Sequence, residues 1–579
     1  MFPLERRTAS GGFRTPAGMM TSLLVLIVGA LTFDVSIARS AVVAHQAADV
    51  NPGPSSSDPD DMASFGGNLY FAGRMPGKGH ELVRLHNGKP QLVADLNPGK
   101  DSSSPRDFIR FKGMLYFSAS TEASGRELWR TGGNTTEIVA DLRPGSESSD
   151  PFLMTVLGDQ LLFRANDGLT GSELWRTDGN LVSMVSDIRP GVSGSNLNDI
   201  TTFGNFAYFS ADNGLFGSEV WITDGNSASL FANINAGGLS SNPRYFTPFG
   251  DYLYFRAGDG QGAELWRTNG VFTQRVADIN PGAPNSAPFD LTVFNGYLYF
   301  RAEDGVSGTE LWRTDGATPI ANTALFADLE PGADGSSPTS LSVTGDRLYF
   351  TADTAAMGRE LWNTTGAGVD LVRDINPGED HGSPGQLTGF MGSLYFSAND
   401  GTHGYELWEA DGGQARMVGD ILPGDDSSDP YDFEEHGGSL YFAADDGTTG
   451  YELWAATDDR KVKVNLPGKK IRADRGGRIR IKVNCPANEI SGLCRGNLTV
   501  QTRGKVRVGK KKRKVTLGKA KFSVPAGQTR TVVVRLGRKA RILVRRNAAA
   551  RKVSVRAKVS DKAGNSRQVS KVKRLVVTR

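Results

Sequence analysis

Oxygen-bearing side chains crowd glycine turns in several stretches of the sequence, among them Asn-Asp-Gly-x-x-Gly-x-Glu at 166–173 and 399–406 and Glu-Asp-Gly-x-x-Gly-x-Glu at 303–310. Closely spaced oxygens around a glycine are what Ca²⁺ loops use. Asp167 with Glu173, Asp304 with Glu310 and Asp400 with Glu406 are therefore the candidate metal ligands, and Ca²⁺ the one cofactor they suggest. The spacing is not that of an EF-hand, and a plain Asp-Gly hairpin turn accounts for the same residues. Carboxylate catalysis is the second chemistry to weigh, because a glutamate heads each of nine Glu-Leu-Trp-like runs. Nine equivalents in one context argue against it, since a catalytic pair needs two carboxylates in unlike environments. These glutamates are expected to accept backbone N–H bonds or to pair with arginines such as Arg130, Arg176, Arg267 and Arg313. The six histidines (His45, His80, His86, His381, His403, His436) share no repeat phase and no His-x-x-x-His spacing. No nucleophile constellation accompanies them, so no catalytic residue is assigned.

The elements that position these residues come from a repeat. Glu-Leu-Trp or a near variant begins at Glu81, Glu127, Glu173, Glu219, Glu264, Glu310, Glu360, Glu406 and Glu452, at intervals of 46 residues except one of 45 and one of 50. All eight tryptophans (Trp129, Trp175, Trp221, Trp266, Trp312, Trp362, Trp408, Trp454) sit at one phase, with Val83 at the ninth. They are expected to pack in a core or between repeats. A Leu-Tyr-Phe-like run and an Asp-Ile/Leu-x-Pro-Gly exit keep step with them. The unit around Trp175 holds four short β-like runs, at 152–156, 160–165, 173–177 and 181–188, with Gly158-Asp159 and Asp178-Gly179 suited to tight hairpins. Four antiparallel strands in about 45 residues is the size of a propeller blade. The fold class that follows is all-β: a propeller of nine four-stranded blades over 41–456, with a β-solenoid as the structural alternative. Residues 41–49 have the phase of a fourth strand, so they are expected to complete the last blade and fasten the ring. The two longer loops of each blade, Asp-Gly-x-x-Gly and Pro-Gly-x-x-x-Ser-x-Pro, then emerge on one face, where recognition generally sits.

On these motifs the chain resembles the bacterial ELWxxDGT-repeat proteins, the signature reading Glu173-Leu174-Trp175-Arg176-Thr177-Asp178-Gly179 and Glu310-Leu311-Trp312-Arg313-Thr314-Asp315-Gly316. Departures include Val83 for Trp, Val220 for Leu, Gly132 and Thr365 for Asp, and Asn233–Gly237 in place of the usual exit. The resemblance implies an extracellular or surface-associated repeat protein and no defined chemistry.

Charge divides the chain sharply. Residues 461–579 hold 37 Lys and Arg against 3 Asp and Glu, leaving 29 against 60 before them. In this tail, runs such as Arg478-Ile479-Arg480-Ile481-Lys482-Val483 alternate cation and apolar residue, the period of half-buried strands. A small immunoglobulin-like β-sandwich over 457–579 is expected. Lys510, Lys511, Lys512, Arg513 and Lys514 form the densest polyanion-binding candidate, placed at a hairpin tip. Cys485 and Cys494 are expected to form a disulfide rather than a metal site, since the first 40 residues look exported. Arg6, Arg7 and Arg14, an apolar run from Ser22 to Phe33, and small residues near Ala38 match a cleaved signal peptide, with an uncleaved anchor as the rival. Twelve apolar-leaning residues fall short of the roughly 20 that span a bilayer.

The leading expectation is a secreted or cell-surface recognition protein, not an enzyme. Its propeller takes an extracellular ligand and its basic domain holds anionic envelope polymer or acidic polysaccharide. A secreted glycan-acting enzyme working at the channel mouth, and extracellular DNA binding through the basic domain, are the alternatives.

Overall fold

The computed structural model describes residues 42–458, 466–485, 493–509, 511–525, 528–560 and 566–577, apart from 283 and 318–321. The expected signal peptide and Lys510 lie outside the described residues.

Residues 42–458 form nine four-stranded antiparallel sheets, the blades of a β-propeller. The third blade is representative: Phe152–Leu157, Gln160–Asn166, Ser172–Thr177 and Val182–Ser186 pair in sequence order. Glycines at positive φ turn its hairpins, as at Gly158 (60°) and Gly179 (94°). The first strands of neighbouring blades pack on one another all the way round, Asp60–Phe65 meeting Tyr431–His436 where the ring closes. Closure is made as expected. Val42–Ala48 pairs antiparallel with Tyr451–Asp458 and becomes the fourth strand of the ninth blade.

Apolar residues of adjacent blades interleave to make the core. Leu162 and Leu174 of the third blade, for example, pack with Phe209 and Trp221 of the fourth. Trp175, Trp221, Trp362 and Trp408 are buried, and Trp129, Trp266, Trp312 and Trp454 are half-buried against such inter-blade clusters. The tryptophans thus hold blade to blade. Arginines of the same motif span the seam at its other end. Arg84, Arg176 and Arg313 donate from Nη1 to the carbonyls of Gly133, Gly225 and Gly366 in the next blade, at 2.7–2.9 Å.

The basic domain is also β-rich and bears out the expected sandwich in part, its strands forming one continuous sheet. One seven-stranded sheet runs in the order Thr516–Pro525, Leu493–Thr502, Lys552–Ser560, Ser566–Val577, Lys470–Ala473, Arg478–Asn484, Thr529–Arg535. Its two edge strands are close: a Cβ on Gly518 would stand 2.6 Å from the Arg535 carbonyl oxygen. The sheet therefore curls over a single core of Ile479, Ile481, Leu498, Val500, Val553 and Val555. A parallel pairing of Lys470–Ala473 with Ser566–Val577 joins what would otherwise be two sheets. A helix at Arg538–Arg546 also departs from the all-strand expectation; it buries Ala540 and Val544, one turn apart on one face. The disulfide Cys485–Cys494 forms as expected, with both residues buried. Among the described residues no helix is long and apolar enough to cross a membrane.

One buried cation locks the start of this domain. Lys573 is 2% exposed and its Nζ donates to the carbonyls of Leu466 (3.1 Å), Pro467 (2.7 Å) and Gly468. Lys573→Met keeps the aliphatic bulk and strands three carbonyls, an expected loss of about 2–4 kcal/mol. Hydrogen exchange should show it as faster exchange of the Arg574 amide, which donates to the Lys469 carbonyl at 3.1 Å.

Candidate functional site

The face that carries the longer loops is built by the residues first suspected of chemistry. Each glutamate of the Glu-Leu-Trp motif is fully buried. It reaches across to the connection that leads into the next blade. Glu219 accepts from the backbone N–H of Ile234 (2.8 Å), Asn235 (3.3 Å) and Ser241 (3.0 Å) and from Ser241 Oγ (2.6 Å). Glu173, Glu310 and Glu406 do the same with Ile188 and Arg189, with Leu329, Glu330 and Ser336, and with Ile421, Leu422 and Ser428. These carboxylates pin the loops and have no free oxygen aimed at solvent.

The aspartates of the glycine turns are spent separately. Asp167 Oδ1 accepts from the N–H of Leu169 (2.9 Å) and Thr170 (2.8 Å) and from Thr170 Oγ1 (2.9 Å). Asp304 holds the N–H groups of Val306 and Ser307, and Asp400 those of Thr402 and His403. Burial pushes these three carboxyls up, but the turn's hydrogen bonds outweigh it and leave them below the usual range. The second glycine of the turn is there for packing. Gly171 has φ +74°, and a Cβ on it would stand 2.3 Å from the Gly194 amide nitrogen of the neighbouring connection. Each Asp and its Glu thus serve different networks. Among the described residues no three His, Cys, Asp or Glu side chains gather as a metal site requires. His381 and His403 lie in these loops with side chains 61% and 39% exposed, and His403 Nδ1 bonds Asp400 at 2.9 Å.

Inside the ring a feature appears that motif reading missed. Every first strand opens on a β-bulge whose second residue has positive φ, among them Asp61 (52°), Asp107 (62°), Asp199 (54°), Asp290 (62°) and Asp432 (55°). Asp tolerates this conformation better than most residues. The bulge turns the carboxylate towards the next blade: Asp432 accepts from Met62 N–H (2.8 Å), Asp290 from Leu341 N–H (3.1 Å), and Asp199 from Tyr245 N–H. Symmetry fails where the ninth blade meets the first. There Glu434 accepts from Ser64 N–H (2.9 Å) and His436 Nδ1 lies 2.8 Å from Ser64 Oγ. Burial, then the charge of Asp60, pushes Asp61 up to about 6. Asp432 rises to about 6, mainly by burial, with Asp60 and Asp61 adding to it against the Met62 hydrogen bond. Both stitch blades together.

With this geometry in view, likeness to known proteins is limited to architecture. The chain matches no protein-family model and no curated protein. Among solved structures it resembles a prolyl endopeptidase (13% identity, TM-score 0.34), covering 66% of this chain and 55% of that one. A GH74 xyloglucanase from Xanthomonas campestris gives 13% identity and TM-score 0.30, over 91% of this chain and 81% of that one. The lectin SapL1, solved with alpha methyl fucoside, gives 10% identity and TM-score 0.23, over 55% and 96%. Likenesses this distant say nothing of ligand or reaction.

The remaining candidates lie in the basic domain. Lys511–Arg513 pairs with Val506–Val508 in a two-stranded hairpin, and Lys511, Lys512, Arg513 and Lys514 are all exposed. Along Arg478–Asn484 the cations Arg478, Arg480 and Lys482 face out while Ile479, Ile481 and Val483 are buried. The arrangement presents ammonium and guanidinium groups in rows, a surface suited to polyanions.

Proposed function

We propose that this is a non-enzymatic recognition protein, exported through residues 1–40, whose propeller holds an extracellular ligand and whose basic domain binds an anionic envelope polymer. One observation carries the anchoring half: cations line the outward side of the strands of a domain with 37 Lys and Arg against 3 Asp and Glu. Such a surface repels itself, and a polyanion that neutralises it removes that cost. The propeller half rests on the way its repeated carboxylates are consumed by loop and seam contacts. This leaves a rigid scaffold with exposed loops, the usual setting for binding.

Retention of the full-length protein on acidic cell-wall polymer and on duplex DNA, across a salt series, tests the anchor. Strong retention on wall polymer at low salt is expected, falling steeply as ionic strength rises. Replacing Lys511, Lys512, Arg513 and Lys514 together by Ser should shift elution to lower salt. Retention of neither polymer at low salt overturns the reading, and preference for DNA replaces it with extracellular DNA binding.

A further inference from the structure

The first strands form the inner wall of the ring, and each begins where the connection from the preceding blade comes in from the loop face. Its first residue stands directly opposite a residue near the end of the second strand. In eight blades at least one member of this pair is uncharged, as in Asp60 with Ala72, Arg106 with Ser118 or Phe289 with Arg301. In the fifth blade both are cations, Arg244 and Arg256. Like charges directly opposite each other on two strands cost stability unless something anionic lies between them.

No carboxylate of the chain closes on this pair. Among the described residues neither guanidinium forms an ion pair or a hydrogen bond, and since none of its nitrogens is buried without a partner, each is open to solvent. Arg301 of the sixth blade is open in the same way and lies over the Phe289 ring at 4.3 Å. Burial lowers its pKa first; Asp290 and Tyr245 act against this, while Arg359 and Arg256 add to it, so Arg256 and Arg301 lie within reach of each other's charge. Arg359 is spent on Asp353. The carboxylates that act on the open cations are Asp199, on Arg244, and Asp290, on Arg301, and each already accepts a backbone N–H of the next blade, from Tyr245 and from Leu341. Three guanidiniums against two carboxylates leave one cation in excess.

Tyr245, beside Arg244, stands at the bulge position with φ 61°, where five blades have Asp and where a bulky side chain is uncommon. Its ring meets Phe289 of the sixth blade edge to face at 4.7 Å, and its hydroxyl is neither buried nor partnered among the described residues. Across the ring, where the ninth blade meets the first, the same rim carries Asp58, Asp60, Asp61 and Asp432. An anion is thus repelled from that side and drawn to the fifth and sixth blades. Two guanidiniums that face each other grip an oxyanion by charge-assisted hydrogen bonds, and an aromatic ring with a free hydroxyl suits a sugar ring beside it. We infer that the channel mouth at the fifth and sixth blades binds an acidic sugar, its carboxylate or sulfate held between Arg244 and Arg256. This inference rests on the reading of the propeller as a ligand-binding module and names the class of its ligand.

The test titrates full-length protein with methyl glucuronide, glucose-6-sulfate and methyl glucoside at constant ionic strength, by ligand-observed NMR and calorimetry. At least one of the two anionic sugars should bind at millimolar concentration and the neutral one more weakly; the tighter of the two shows whether the oxyanion is a carboxylate or a sulfate. Arg244→Gln and Arg256→Gln each remove one charge and should weaken binding about tenfold. Each also relieves the repulsion, so without ligand each should melt no lower than wild type. If one fails to fold, the other decides; if both melt below wild type, the arginines are structural and the inference falls. An anionic sugar held equally by wild type and both variants sits elsewhere, on the basic domain for example, and overturns the site. No binding of either anionic sugar by wild type, or equal binding of the neutral one, overturns the inference. A panel of neutral glycans and proteins run on the same preparation then shows whether the propeller binds another ligand or none.

Discussion

A chain lacking residues 42–48 melts well below the intact protein and associates with itself. Eight blades are continuous hairpins, but the ninth is assembled from the two ends of the ring, Val42–Ala48 lying against Tyr451–Asp458. Removing the first strand deletes a ladder that runs from Val42 opposite Asp458 to Ala48 opposite Leu453. It takes Val42 out of a cluster with Phe390, Leu407, Ile421 and Phe442, and Ala48 out of one with Phe71 and Leu453. The exposed edge of Tyr451–Asp458 becomes a template for another chain. An expected loss of several kcal/mol is a large part of the roughly 5–15 kcal/mol that holds a typical domain. Urea unfolding followed by tryptophan fluorescence reads the loss, light scattering reads the association, and a peptide of residues 41–49 added in trans should reverse both. An unchanged midpoint would show that the ring is held by the inner strands alone.

The second large effect is a stability that declines from pH 5 to pH 8. Burial raises the carboxyl pKa of all nine motif glutamates above the ordinary 4.5, and the surrounding N–H and hydroxyl donors offset it only in part. Glu173 and Glu360 reach about 7. A group that holds its proton more tightly when folded contributes its full stability below the unfolded pKa. That contribution is lost as pH rises through the folded one. For Glu173 and Glu360 the window is therefore 4.5 to about 7, and each should lose roughly 3 kcal/mol across it. Glu360 is the cleaner test. Gly382 stands where other blades have the bonding serine, so Glu360 holds only the N–H groups of Ile375, Asn376 and Gly382. Glu360→Gln should flatten the melting-temperature profile between pH 5 and pH 8, and a wild-type profile that instead rises over this range would contradict the burial argument. The turn aspartates Asp167, Asp304 and Asp400, held low, set the acid limb below pH 4.

Repetition made much of this architecture legible in advance. A tryptophan every 46 residues, two hairpin signals per unit and an orphan fourth strand at 41–49 determine blade count, strand order and closure, because each is a local pattern read nine times. The structural duty of the glutamates followed from the same count. What the glutamates hold was not legible: the N–H groups that Glu219 takes are 15, 16 and 22 residues away, and only the packed loop brings them to one carboxylate. The calcium-like spacing of Asp167 and Glu173 was ambiguous for the same reason, since one-dimensional proximity does not say that the first caps its own turn while the second faces inward.

Alternation in the basic domain specified strands and the outward cations. It left their order open, and the parallel join of Lys470–Ala473 to Ser566–Val577, about a hundred residues on, depends on a sheet that curls until its edges meet. By itself the sequence determined what repeats; the contacts across the seams, where unlike neighbours meet, were decided by closing nine blades into one ring.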